Sequence, residues 1–247
     1  MKVALFVPCF INVLYPKVGI ATLELLEKLG CEVVVPPDQT CCGQPMATAG
    51  CHDDAAAAEA LFVDNFAGFE AIIGPSASCV QHIRKHLFAI AQTDAVKHVR
   101  AHTFELVEFV HDILAVRDFP WARLDKLIGL HNSCSALRSL DQAATSELPE
   151  QRVSKARTLL EGVAGIRFAE PKRPDECCGF GGVFSVFEEA VSVRMGQDKV
   201  ADHAQAGAEL IVSADTSCLM HQQGCAQRQG RSIGFAHIAQ VLNGDLS

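Results

Sequence analysis

The sequence predicts an α/β protein of two pseudo-symmetric lobes, each a mostly parallel sheet flanked by helices, and three observations lead there. Short apolar, β-branched runs alternate with helical periodicities, the pattern of a parallel sheet with covering helices. The whole alternation occurs twice along the chain. Finally, 11 of the 247 residues are cysteine, and most of them fall at matching points of the two copies.

Copy one opens with residues 3–7, an apolar run bounded by Pro8 and read as a buried strand. Residues 20–29 carry Leu23, Leu25, Leu26 and Leu29 at helical spacing and stop at Gly30, a good residue just past a helix end. A strand over 32–35 is closed by Pro36 and Pro37, and Cys41-Cys42-Gly43 follows. An alanine-rich helix over about 53–65 then leads to a strand at 71–74, which ends in Pro75 and Cys79. Copy two repeats the order. A strand at 127–130 runs into Cys134, a helix near 154–160 precedes a strand at 166–169, and Cys177-Cys178-Gly179 follows. A long helix over roughly 188–205 and a strand at 209–213 lead to Cys218. The closing elements agree as well, with Phe104, Val107 and Val110 spaced like Phe235, Ile238 and Val241. The offset between copies is 125 at Cys9 and Cys134, 136 and 139 at the next two landmarks, and 131 at the phenylalanines. A near-constant offset means duplication, with one repeat over 1–118, the other over 125–247, and a linker at 117–124 around Pro120.

Composition excludes several function classes. There are 21 basic and 29 acidic side chains, a net charge of −8, and no run of Lys or Arg, which argues against nucleic acid or an anionic membrane as partner. No stretch is apolar for long enough to span a membrane. Pro8 and Asn12 break the apolar start and no small-residue cleavage site follows, so it is not read as a signal peptide. Cys9, preceded by bulky Val7 and Pro8, is not read as a lipid-attachment site. An odd cysteine count suits a fully paired secreted framework badly. The expected location is cytoplasmic, where clustered thiols serve as metal ligands or redox groups.

Copy one reads Cys9-x31-Cys41-Cys42-x36-Cys79 and copy two Cys134-x42-Cys177-Cys178-x39-Cys218. Each lone cysteine comes a few residues after a predicted strand, and each pair follows one by six to nine residues. Open parallel sheets place ligands outside the carboxyl ends of their strands, so topology alone gathers all eight there, four from each copy. Four thiolates suit zinc or an iron–sulfur cluster. Adjacent cysteines are awkward around one tetrahedral ion and better suited to neighbouring irons of a multinuclear cluster. Gly43, Gly179, Gly181 and Gly182 allow close approach, and their N–H groups are candidate donors to cluster sulfur. The helices after the pairs are expected to point their positive ends at an anionic centre. Cys31, Cys51 and Cys225 are read as structural, Cys225 being near enough to Cys218 to face the site. Phe180 is a candidate shield, while Met195, Phe184 and Phe187 read as helix packing. His52, His86, His98, His102, His111, His131, His203 and His237 show no ligand-like spacing, and His131, just before Cys134, is placed to orient a cysteine but is read in preference as a strand-end residue without a role. Gly179-Phe180-Gly181-Gly182 fails as a dinucleotide fingerprint.

At these residues the chain resembles the CCG-domain (cysteine-rich) family of iron–sulfur oxidoreductase subunits. That family doubles a pattern of one cysteine, a Cys-Cys pair and a closing Cys-x-x-Cys, and it includes the cysteine-rich subunit of heterodisulfide reductase and the iron–sulfur subunit of glycolate oxidase. The likeness is strongest to its lactate-utilisation branch. It rests on Cys-Cys-Gly-Gln at 41–44, Pro-Ser-Ala-Ser-Cys at 75–79, Cys-Cys-Gly-Phe-Gly-Gly at 177–182 and Ala-Asp-Thr-Ser-Cys at 214–218. The resemblance implies an oxidoreductase subunit, inactive alone, that passes electrons in a complex oxidising L-lactate to pyruvate. It implies one or two iron–sulfur clusters of 4Fe-4S type per chain on the eight cysteines, and other iron–sulfur subunits as partners. Where the family has its last cysteine this chain has His82 and His221, which become candidate further ligands. The alternatives are a catalytic cluster cleaving a thiol–disulfide substrate, a zinc-binding or structural subunit, and another 2-hydroxy acid such as glycolate. Arg84 and Arg138, each near a motif, are the candidate lactate-binding arginines, and nothing singles one out.

Overall fold

The structure is a computed structural model describing residues 1–146 and 154–246; of the second repeat, 147–153 and 247 lie outside the described residues. The first half runs β1 (Lys2–Leu5), α1 (Cys9–Leu14), α2 (Pro16–Lys28), β2 (Glu32–Val34), α3 (Gln44–Thr48), α4 (His52–Phe66), β3 (Ile72–Gly74), α5 (Ala77–His86), α6 (Asp94–His102), β4 (Thr103–Glu105) and α7 (Leu106–Glu108), which continues into a π-helical turn over Phe109–Ile113. The second half runs β5 (Leu127–His131), α8 (Cys134–Arg138), α9 (Lys155–Glu161), β6 (Arg167–Ala169), α10 (Phe184–Phe187), α11 (Glu189–Gln205), β7 (Leu210–Ser213), α12 (Thr216–Arg228), β8 (Gly234–His237) and α13 (Ile238–Asn243).

Each half builds a four-stranded, all-parallel sheet, in the order β2-β1-β3-β4 and β6-β5-β7-β8. Register preserves the duplication: Ala4 faces Ile72 in one lobe, and Gly129 faces Ile211 in the other, keeping the offsets of 125 and 139. The closing strands correct one expectation. Ile72 faces Thr103 and Ile211 faces Phe235, so the offset there is 132 and Phe104 corresponds to Ala236, not to Phe235. Ile238, Ala239, Val241 and Leu242 are all buried, so the apolar face of α13 is wide enough to fit either alignment.

Other elements differ at their ends. Helix α2 starts at Pro16, whose fixed φ suits a first helical position, and Ile20 faces solvent while Val18, Ala21, Leu25 and Leu26 face the core. Strand β1 stops at Leu5; the Val7 N–H instead donates to Gln39 Oε1 at 2.6 Å. The long helix at 188–205 is α11, with the short α10 before it. Phe187, read as packing, is 75% exposed.

The largest buried cluster crosses between the lobes. It joins Leu25 and Leu26 of α2 to Ile238 and Leu242 of α13, and Val107 and Val110 to Leu159 and Leu160 of α9. Polar contacts frame it: Lys28 Nζ donates to the Asn243 carbonyl and Oδ1, both at 2.8 Å, and Trp121 Nε1 donates to the Leu242 carbonyl at 2.9 Å. The far side of the first sheet is aromatic and aliphatic, with Phe6, Phe62, Phe66, Ile83 and Leu87. Its counterpart in the second lobe has a small apolar cluster of Val200, Cys225 and Ala226, and that lobe also buries His131, Lys199, Asp202 and His203. No described helix is long and apolar enough to cross a membrane.

Candidate metal centre

In each sheet the strand order reverses between the first strand and its neighbour, β1 and β3 or β5 and β7. Ligands of open α/β sheets collect outside such a point. There the chain delivers Cys9 as the first residue of α1 and Cys79 in the first turn of α5, with Cys41 and Cys42 on the loop after β2. The second lobe does the same with Cys134 opening α8, Cys218 in the first turn of α12, and Cys177 and Cys178 after β6. The helices aimed at this edge thus start at the lone cysteines as well as after the first pair. Ser76 accepts from the Cys79 N–H at 3.4 Å and caps α5; Asp215 caps α12. All eight cysteines line one cavity of about 450 Å³ between the lobes.

Within each quartet the thiols form a chain. Cys9 Sγ lies 3.8 Å from Cys41 Sγ, and Cys42 bridges Cys41 to Cys79. Cys177 stands between Cys134 and Cys178, and Cys178 reaches Cys218. All are free thiols. Hydrogen bonds from Cys42 and Cys9 hold the Cys41 thiol down at about 2, helped by the Gly43 N–H at 3.4 Å. Bonds from Cys134 and Cys178, with the Gly179 N–H at 3.4 Å, hold Cys177 at about 2. Donating to those thiolates, and then burial, pushes Cys9, Cys42, Cys134 and Cys178 up. Cys41 and Cys177 are therefore favoured as thiolates beside protonated Cys9 and Cys42, and Cys134 and Cys178, and a bound cation would release those protons. Buried soft donors this close fit a thiophilic metal.

Glycine after each pair is required. Gly43 and Gly179 have φ of 92° and 89°. A Cβ on Gly179 would sit 2.6 Å from the Ser192 carbonyl, and one on Gly43 would sit 3.2 Å from Glu59. Gly181 and Gly182 line the cavity, as does Phe180, which meets Phe10 edge-on at 5.9 Å.

Neither candidate histidine is in the cavity wall. His82 is buried behind Gly43, its Nε2 3.4 Å from Glu59 Oε1, and burial lowers it to about 4 while raising Glu59. His221 braces α11, with Nε2 3.0 Å from the Ser192 carbonyl. Cys225 is buried beside it, against the Val193 carbonyl; Cys31 belongs to the inter-lobe core and Cys51 is exposed.

Sequence reasoning missed three groups. His131 places a ring nitrogen within 4.8 Å of the Cys178 and Cys218 sulfurs. Glu59 is fully buried under the first Cys-Cys loop. His98 and His102, one turn apart on α6, converge with Glu70. Their spacing of four was readable in the sequence, whereas no local pattern announces the other two.

The sequence profile of the CCG family, described as a cysteine-rich domain, matches residues 3–84 and 128–223, one cysteine quartet in each segment. The chain is similar to a lactate utilization protein A of Exiguobacterium sp., 42% identical over 252 residues that cover 98% of this chain and 97% of that one. It is 38% identical to lactate utilization protein A of Bacillus subtilis over 247 residues, covering 98% and 99% of the two chains. A solved structure of a hypothetical protein from Helicobacter pylori matches with a TM-score of 0.58 at 12% identity. That match covers 98% of this chain but 48% of the other, so this chain spans about half its length, and the likeness concerns the fold alone. With both quartets inside the matched segments and relatives aligned end to end, the chain belongs to the CCG cysteine-rich domain family.

Proposed function

We propose that this chain is an electron-transfer subunit of a cytoplasmic lactate-utilising system, with an iron–sulfur centre of 4Fe-4S type on each cysteine quartet. The observation that carries this reading is the meeting of two four-thiol chains at one cavity. Relatives named for lactate utilisation support the pathway. Adjacent cysteines within each quartet favour a multinuclear centre over a single zinc ion. When bound, such a centre takes up and releases single electrons.

The chain's own residues divide the work. Cysteine sulfurs ligate, and the Gly43 and Gly179 N–H groups offset charge on Cys41 and Cys177. Pro8, Phe10, Ile11 and Phe180 give part of the cavity lining an apolar surface. Among the described residues the lining holds no Arg, Lys or His, so the carboxylate of a 2-hydroxy acid finds no cation there. Arg84 is held by both oxygens of Glu108, at 3.0 and 2.7 Å, and Arg138 is not in the wall. Oxidising L-lactate removes two electrons and two protons; the proton chemistry falls to a partner subunit and this chain carries the electrons.

Anaerobically purified protein should show a broad visible absorption that dithionite bleaches and an oxidant restores. A colourless preparation would overturn the assignment. The open cavity supports one second reading, direct cleavage of a small disulfide. Turnover of such a substrate by the chain without partners would favour it.

A further inference from the structure

The two quartets do not sit in the same surroundings. His131 closes β5 three residues before Cys134, and at the offset of 125 its counterpart in the first lobe is Phe6. Phe6 is packed edge-on against Phe62 at 5.1 Å and Phe66 at 5.8 Å. His131 is as deeply buried, 1% exposed, yet neither of its ring nitrogens has a hydrogen-bond partner. One of those nitrogens and the sulfurs of Cys178 and Cys218 lie mutually within 4.8 Å. Among the described residues this is the one such triad that contains a cysteine. Ligands sharing a metal, with bonds of about 2.0 Å to nitrogen and about 2.3 Å to sulfur, stand roughly 3.5–3.8 Å apart, so the three atoms need at most about an ångström of adjustment. A direct N–H···S bond is not formed, so the spacing suits an intervening metal.

The ring's other neighbours leave both of its nitrogens unengaged. His203 lies edge-on at 6.4 Å and packs over Gly129, where any side chain would collide with it. Lys199 is committed to the carbonyls of Arg173 and Pro174, so it does not compete for the nitrogen.

We propose that His131 is a nitrogen ligand of the second lobe's metal centre, alongside Cys178 and Cys218, so that the chain carries one centre held by sulfur alone and one of mixed donors. This rests on the reading above that both quartets hold metal. Imidazole in place of thiolate raises a cluster's potential, which makes the second lobe the electron-accepting end and gives transfer across the cavity a direction.

The test uses full-length protein grown on isotope-labelled histidine. Iron and sulfide are counted first, and pulsed electron paramagnetic resonance is then recorded in the paramagnetic state. A nitrogen coupling of the size of a bonded imidazole is expected, and it should vanish in His131→Phe. If that variant does not fold, His131→Cys keeps a soft ligand while removing the nitrogen, and the higher of two midpoint potentials should fall towards the lower. Iron and sulfide present without a bonded-nitrogen coupling would overturn the histidine assignment alone, as would a coupling that survives either variant. Absence of iron and sulfide would overturn the functional reading and the ligand assignment together.

Discussion

Glu105 and His237 occupy equivalent places at the ends of β4 and β8, each capping the helix that follows. Glu105 Oε2 accepts from the Val107 N–H at 2.8 Å and from Gln142 Nε2 of the other lobe at 2.6 Å. Burial raises its carboxyl from the usual 4.5 to about 8. The native state therefore keeps a proton that the unfolded chain has lost. This contribution to stability is complete below 4.5 and disappears as pH rises through about 8. Glu105→Gln removes the titration, so its stability relative to wild type should climb between about pH 5 and about pH 9. Parallel urea-denaturation midpoints across that range would contradict the assignment. At Gly179 the positive φ and the blocked Cβ position predict that Gly179→Ala costs about 1–3 kcal/mol and lowers the metal content of the second quartet. Gly224→Ala, inside α12 with open space at the Cβ position, is the contrasting control and should be stabilised by about 0.5–1 kcal/mol with metal content unchanged. The cysteines and glycines were legible because their types recur at one period. Glu59 and His131 were not, because burial and proximity to sulfur arise only when distant strands pair.

Helix α11 anchors the loop that carries Cys177. Asp202 accepts the N–H groups of Lys172 and Arg173, both at 2.9 Å, and the buried Lys199 donates to the carbonyls of Arg173 and Pro174. Lys199→Met strands two carbonyls, and a loss of about 1–3 kcal/mol in denaturation midpoint experiments is expected. Metal should leave the second quartet first. Equal loss from both quartets would argue that α11 has no local role. The core strands were readable from their short β-branched runs. Helices α5 and α12 were not, since their early turns are Ser-, Thr- and Cys-rich; the caps Ser76 and Asp215 were the available signal. The one-residue misalignment of the closing strands has a similar origin, because a helix buried on a broad face does not fix its own register.

The lobes share a core and cannot be considered separately. Leu25 and Leu26 of one half are covered by Ile238 and Leu242 of the other, and Asp215 Oδ2 accepts the Ser78 N–H across the interface at 2.9 Å. Expressed alone, the 1–118 and 125–247 halves should aggregate, and refolded together they should give an equimolar complex by size-exclusion chromatography. Soluble, folded single halves would contradict a shared core. Duplication was legible in the sequence, but the packing of α2 on α13 was not, since both carry apolar faces that any partner could cover. The same interface brings the two quartets to a single cavity, which makes the metal inventory of the intact chain the most direct test. Two loaded quartets predict about eight irons with matching acid-labile sulfide in anaerobic wild-type protein, and about half of each in a Cys42→Ser variant. Stoichiometric zinc without sulfide, in protein never exposed to air, would contradict electron transfer and leave a structural role for the cysteines.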